Sequence, residues 1–360
     1  MTDLMRRLGV ELPIIQAPMA GSDSAELCVA VSKAGGLGSL AGALLTPQSV
    51  LQAVEHIRSK TDKPFNLNFF CHEVEVDDPA REQAWRALLR PYYAEAGLAP
   101  DASAPFALRL PFDEDMCAVL ESLHPPVASF HFGLPRPDLL DRVKKTGAAI
   151  LASATTVEEA KWLEDQGVDA IIAQGAEAGG HRGMFRTRDV STQSGLFALL
   201  PQIVDSVGIP VIAAGGVADG RGVAAALILG AEMAQIGTAY LFCPEAKLNQ
   251  RHAAALPEAR DDNTALTNLF SGRPARGIVN RLMHDLGAMN GAAPAFPFAG
   301  RALAPLRAVA ETAGRDDFTN LWAGQAATLS PRLPAYDLTR KLAKDAADIL
   351  EIKGKSLWPN

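Results

Sequence analysis

The chain of 360 residues predicts an α/β fold, a (β/α)8 TIM barrel carrying a smaller, mainly helical domain over its mouth. Three observations predict it. Short apolar runs recur eight times, amphipathic stretches separate most of them, and from about Glu245 the alternation gives way to Ala-rich helical sequence. Strands that form continuous apolar runs and alternate with helices belong to a parallel sheet covered on both faces. Eight such units over about 250 residues fit a closed barrel, which is favoured over a doubly wound open sheet.

The runs are Pro13–Ala17, Leu37–Ala41, Phe65–Phe69, Val127–Phe132, Ala148–Ala152, Ala170–Ala173, Pro210–Ala214 and Ala234–Gly237. Between them, Thr156–Gln166 has a helical pattern with Gly167 as its stop. Leu196–Val207 and Gly220–Leu229 are similar. Residues 72–122 are too long for a simple crossover and hold the helical stretch Pro79–Leu89, so they predict an excursion at the barrel rim. The expected division is a barrel over residues 1–244, with its insertion at about 72–122, and a helical region over 245–360. That second region forms much of the substrate subdomain, with helices at Leu303–Gly314, Asp316–Thr328 and Asp337–Ile352, and its last part packs back on the barrel.

The composition, 48% hydrophobic and 21% charged, is that of a soluble globular protein with a sizeable core. A net charge of −7, a pI near 5.6 and the lack of a basic cluster argue against nucleic acid as a partner. Cys28, Cys71, Cys117 and Cys243 lie far apart, without CxxC or zinc-ligand spacing, which points to a reducing, cytoplasmic setting. Met1–Arg7 lacks the apolar core of a signal peptide. The uncharged stretch Ala34–Val54 is broken by Gly35, Gly36, Gly38, Gly42 and Pro47, so strand, loop and helix are expected there and no membrane span. Monomer and homodimer both remain open.

The seventh run ends in Gly215-Gly216 before a new helix, a turn that offers backbone N–H groups to a phosphate. The eighth repeats the arrangement with Gln235-Ile236-Gly237-Thr238. Barrel enzymes commonly build phosphate sites after strands seven and eight, so two such turns in register predict one here. No Walker lysine follows and the glycines do not spell GxGxxG, which argues against ATP or a nicotinamide fold. The rest of the ligand would meet Pro18 and Met19 after the first strand, Asn68 in the third and Gln174 after the sixth. A flat flavin fits, as would other phosphorylated ligands.

Two histidines reach the same face. His181 lies in the run Gln174–Gly183, whose glycines let the backbone turn tightly beside a ligand just past a strand's carboxyl end. His131 closes the run Ser129-Phe130-His131. A pair of imidazoles suits a small anionic substrate, since either can carry positive charge near neutral pH. His56, His72, His124, His252 and His284 fall in helices or connections and are expected to be structural or solvated. HExxH and carboxylate–histidine clusters are absent, which disfavours a metal, and no GxSxG elbow supports serine hydrolysis.

Taken in order, Pro13–Met19, Ala34–Ser39, Phe65–Asn68, Ser129–Gly133, the His181 run, Ala213–Gly216, Gln235–Thr238 and Leu321–Gln325 resemble the nitronate monooxygenases, once called 2-nitropropane dioxygenases, over roughly residues 10–330. The resemblance implies an FMN-dependent TIM barrel with a helical domain over its mouth. It implies oxidation of alkyl nitronates, such as propionate 3-nitronate, with O2 to a carbonyl compound and nitrite or nitrate. It further implies FMN contacts from Asn68, Gln174, Gly179, Gly216 and Gln235, Ile236, Gly237 and Thr238, with Ala17, Pro18, Met19, Gly180 and Gly215 beside them. His181 would be the active-site histidine, orienting the anion or acting as base towards a neutral nitroalkane, with His131 in the substrate pocket. The pocket tyrosines and lysine of some family members have no counterpart that can be assigned among Tyr92, Tyr93, Tyr240 and Tyr336. Flavin-dependent enoyl-ACP reductases are the alternative, with a similar Gly-Gly-His loop and Gly-Gly turn; the His131 strand and Leu321–Gln325 lean away from them.

Overall fold

Residues 1–357 are described by a computed structural model. Each of the eight apolar runs forms a buried strand: β1 (Ile14–Gln16), β2 (Gly38–Ala41), β3 (Phe65–Phe70), β4 (Val127–His131), β5 (Ala149–Ala154), β6 (Ala170–Gln174), β8 (Val211–Ala214) and β9 (Met233–Ile236). A short β7 (Gly180–His181) lies between β6 and β8, and β10 (Thr264–Thr267) and β11 (Ala275–Ile278) follow. The eight long-range parallel strands run in the order β1-β9-β8-β6-β5-β4-β3-β2. A parallel bridge between Ile15 and Leu37 closes the ring, Leu37 N donating to Ile14 O at 2.9 Å and Gln16 N to Leu37 O at 3.0 Å. The architecture is a TIM barrel.

The barrel interior is filled by Ile15, Leu37, Val127, Leu151, Ile172, Ile212 and Met233, and Leu4, Met5 and Leu8 of the helix Asp3–Leu8 join the same core. The expected barrel helices form where caps permit. Thr156 Oγ1 accepts from Glu159 N at 3.2 Å at the start of Val157–Asp165, and Asp219 caps Gly220–Ile228.

The excursion after β3 contains the helix Pro79–Glu95, which continues past Leu89, and then residues 96–113 without regular structure. The helix Glu114–Leu123 that follows is an ordinary crossover, packed between Pro47–Lys60 and Pro137–Lys145. Trp85, Leu89, Tyr92 and Tyr93 build a satellite core with Leu269, Phe270, Leu303, Leu306 and Phe318 from the C-terminal part of the chain. The polar tips of its aromatics are satisfied, Trp85 Nε1 donating to Ala299 O at 3.1 Å and Tyr93 OH to Ala302 O at 2.6 Å.

Two expectations for the C-terminal region need correction. It is not wholly helical, because β10 and β11 pair antiparallel and β11 then pairs with β7. Nor is Asp316–Thr328 a helix. Its backbone groups are taken by β11 and its neighbours: Ile278 N donates to Leu321 O, Ala323 N to Arg276 O, and the Asn280 amide to Asp316 O and Thr319 O. The last helix, Ala335–Leu357, packs on Gly220–Ile228 and Ala25–Lys33, burying Leu338 and Leu342 and joining Thr339 Oγ1 to Tyr240 OH at 2.7 Å. Among the described residues no helix is long and apolar enough to cross a membrane.

Candidate active site

A cavity opens at the carboxyl ends of the barrel strands. Ala17, Pro18, Met19, Asn68, His131, Gln174, Gly179, Gly180, His181, Gly215, Gly216, Gln235, Gly237 and Thr238 all line it. Ile236 does not. Successive strand residues face opposite sides, so Gln235 turns inward while Ile236 packs with Ile14 and Val223 in the outer wall.

At one end of the cavity the backbone turns through Gly215 (φ +107°) and Gly216 (φ +69°), conformations that favour glycine. Their amides donate to no acceptor among the described residues. Asp219 already accepts from Arg221 N and Gly222 N, so the free N–H groups here are those of the turn and not those of the helix end that the sequence suggested. Thr238 Oγ1 accepts from Gly324 N at 2.9 Å and keeps its own proton to give. Further in, Gln235 Oε1 is buried without a partner, a costly state that calls for a ligand donor. The Asn68 amide nitrogen donates to Ser129 O and Oγ, leaving its carbonyl oxygen free. Met19, beside them, is pinned through its N–H to Asp23 Oδ2 at 2.9 Å, which also accepts from Ala41 N.

The other end is built around His181. Its backbone belongs to β7 and is paired with Ala275 of β11. Gln174 Nε2 and His131 Nε2 both donate to His181 O, at 3.0 and 3.2 Å, and Gly183 N donates to Gln174 Oε1 at 2.7 Å. The fully buried Arg182 holds the carbonyls of Gln174 and Gly175. Much of the Gln174 amide is therefore spent on positioning His181. Because His131 Nε2 carries a proton, its Nδ1 accepts from Ser153 Oγ at 3.0 Å.

The His181 ring meets Ser271 Oγ at 2.9 Å, and that hydroxyl donates to Arg273 O at 3.2 Å. Ser271 therefore accepts from His181 Nε2–H, and Nδ1 carries the lone pair. Burial, followed by the charge of Arg109, holds the His181 pKa well below the usual histidine range, and burial pushes His131 down to about 4. Both imidazoles are neutral near pH 7. This corrects the expectation that either would bring positive charge to the pocket: desolvation outweighs everything that would favour the cation.

The family model described as nitronate monooxygenase matches residues 2–345. The chain belongs to the nitronate monooxygenase family. It is similar to the nitronate monooxygenase of Pseudomonas aeruginosa, with 43% identity over 352 residues, covering 96% of this chain and 99% of that one. Among solved structures it is similar to the nitroalkane oxidase from Streptomyces ansochromogenes, with 38% identity and a TM-score of 0.87, over 96% of this chain and 98% of that one. FabK from Thermotoga maritima is also similar, at 27% identity and a TM-score of 0.72, over 98% of this chain and 99% of that one. Membership of the nitronate monooxygenases makes the chain an enzyme, an oxidoreductase.

In this nitronate monooxygenase fold several residues around His181 are not distinguished individually in the sequence. Phe70, Phe132, Phe296 and Trp322 surround His181 with ring centroids 6.1, 6.0, 5.5 and 5.5 Å away. Phe132 adopts φ +70°, a strained conformation for a bulky residue, and carries the Arg273 guanidinium 4.3 Å from its ring centroid. His252, expected to be structural or solvated, lines the cavity, with Nε2 bonded to Trp322 O at 2.9 Å. Trp322 itself lies in Leu321–Gln325, where Gly324 packs against Gly179. Arg109, from the irregular part of the excursion, also lines the cavity. Tyr240 is bonded to Thr339, Tyr92 and Tyr93 belong to the satellite core, and Tyr336 is exposed. Among the described residues no tyrosine lines the cavity.

Proposed function

We propose that the cavity holds FMN and oxidises alkyl nitronates, propionate 3-nitronate among them, with O2 to carbonyl compounds and nitrite or nitrate. The observation that carries this reading is one cavity with two unlike ends. Free turn amides and the orphaned Gln235 oxygen lie at one end. At the other, an aromatic-walled imidazole presents a lone pair.

The amides of Gly215 and Gly216 and the Thr238 hydroxyl would hold the FMN phosphate. Gln235 and Asn68 would meet polar atoms of the rest of the molecule, and the pinned Met19 strap would cover it. When bound, FMN supplies the electron-transfer chemistry between substrate and O2. The chain's own groups set the stage for it. Phe70, Phe132, Phe296 and Trp322 exclude water, Gln174 and His131 fix the His181 backbone, and Ser271 fixes its ring. His181 Nδ1 can take the α-proton of a neutral nitroalkane, whereas a nitronate arrives already deprotonated. All four cysteines are free, which supports a cytoplasmic setting.

The test is O2 uptake by the purified flavoprotein with propionate 3-nitronate, with the released cofactor identified by chromatography. His181→Asn is expected to lower kcat/KM for a neutral nitroalkane, which needs the Nδ1 base, by about two to four decades, and to affect propionate 3-nitronate, which arrives deprotonated, far less. An inert nitronate, together with rapid bleaching of the flavin by NADH, would move the assignment to the reductase reading, which the comparisons support less well.

A further inference from the structure

We propose that Arg109 is the fixed cation that captures the anionic substrate, so that this site selects the ionised nitronate over the neutral nitroalkane. The inference rests on the reading of the cavity given above.

An anion needs a positive charge or a set of donors. Both pocket imidazoles are neutral, and His181 turns a lone pair, not a proton, towards the cavity. A lone pair repels an anion. Among the described residues lining the cavity, Arg109 alone carries a permanent charge, and no aspartate or glutamate lies there to neutralise it. Arg273 lies over the Phe132 ring with a buried, unpartnered Nη1, but it lines the neighbouring cavity and not this one, and two other buried arginines nearby are already occupied. Arg182 spends its guanidinium on Gln174 O, Gly175 O and Gln193 Oε1, and Arg276 on Ala176 O and Thr264. The Arg109 guanidinium has neither an ion pair nor a hydrogen bond among the described residues.

Its surroundings make that vacancy costly. Burial and the charge of Arg307 both disfavour the Arg109 cation, which still ionises with a pKa of about 10. An uncompensated cation in a partly desolvated, aromatic-walled cavity is strongly unfavourable unless an anion completes it. The phosphate turns stand apart, since the cavity's glycine end offers its own amides. Arg109 lines the same cavity as His181, and its charge is second only to burial in keeping that ring neutral. A substrate anion placed there gains a charge-assisted hydrogen bond, while a neutral nitroalkane leaves the cation unpaired. Only the first is rewarded.

The test compares wild-type flavoprotein with Arg109→Met and Arg109→Lys. Nitrate serves as a planar anion that is not oxidised, and its binding is followed through the absorbance of the bound flavin. Arg109→Met is expected to weaken nitrate binding and raise the KM for propyl nitronate by about 10- to 100-fold. Flavin content and the binding of neutral 1-nitropropane should be nearly unchanged, and Arg109→Lys should recover most of the nitrate affinity. Removing the cation also eases protonation of His181, so the acid limb of kcat/KM with 1-nitropropane, which needs that base, should move to higher pH. Arg109→Met that binds nitrate like the wild type would overturn the proposal, as would loss of flavin alone, which would assign Arg109 to the cofactor. Arg109-dependent nitrate binding in a protein inert towards every nitronate would uphold anion capture and overturn the proposed reaction instead.

Discussion

Neutral histidines make this pocket sensitive to acid. His131 and His72 titrate near 4, against an ordinary 6.5, because burial disfavours their cations. Between those values the unfolded chain binds protons that the native state refuses, so stability falls as pH drops from 6.5 to 4. One fully shifted group is worth about 3 kcal/mol at the lower end. Asp23 works in the opposite sense. Burial raises its pKa to about 7 despite the amides it accepts from, so the native state takes up its proton first and gains stability on acidification. Thermal unfolding at pH 7 and 4.5 should therefore show a Tm loss that His131→Gln reduces and Asp23→Asn enlarges. An unchanged pH slope in His131→Gln would refute the assignment. Sequence made the positions of His131 and His181 legible, because one closes an apolar run and the other lies in the Gly-rich loop that follows one. Their charge state was hidden, since it depends on Arg109, Ser271 and the aromatic wall, which come from distant parts of the chain.

Elements were legible wherever one stretch of chain decides its own structure. All eight barrel strands follow from apolar runs, and Thr156 and Gly167 bracket their helix as capping chemistry requires. The failures lie where another segment decides. Asp316–Thr328 has helical composition, yet β11 and Asn280 take its backbone groups. β10 and β11 are short, and β7 supplies only two residues to their sheet. Packing between elements is equally nonlocal. A Cβ added at Gly220 would sit 2.4 Å from Asp345 Cβ and 2.9 Å from Ala346 N of the last helix. Gly220→Ala must separate two helices and should cost about 1–3 kcal/mol, seen as a lower Tm with the flavin retained. A Tm equal to the wild type would mean that the last helix yields freely.

At the scale of the whole molecule, the insertion and the C-terminal region each stand out in the sequence, but their shared core does not. Trp85 and Leu303 are far apart along the chain and pack in one cluster. Trp85→Ala should destabilise the protein by about 3–5 kcal/mol and raise the KM for nitronates, because Arg109 lies in the irregular segment that leads on from that packed helix. Flavin content should hold, since the glycine turns rest on β8 and β9. Denaturant melts and flavin-to-protein ratios on the same preparation would check both; loss of flavin in step with loss of stability would argue that the two ends are not independent.

The strand-end turns of the barrel supply one half of the cavity, while Arg109 and Trp322 of the lining, and Ser271 and Phe296 against His181, come from the excursion and the late chain. Inheritance can act on these halves separately. Substitutions in the later stretches can retune which molecules are accepted while the strand-end turns pass on unaltered.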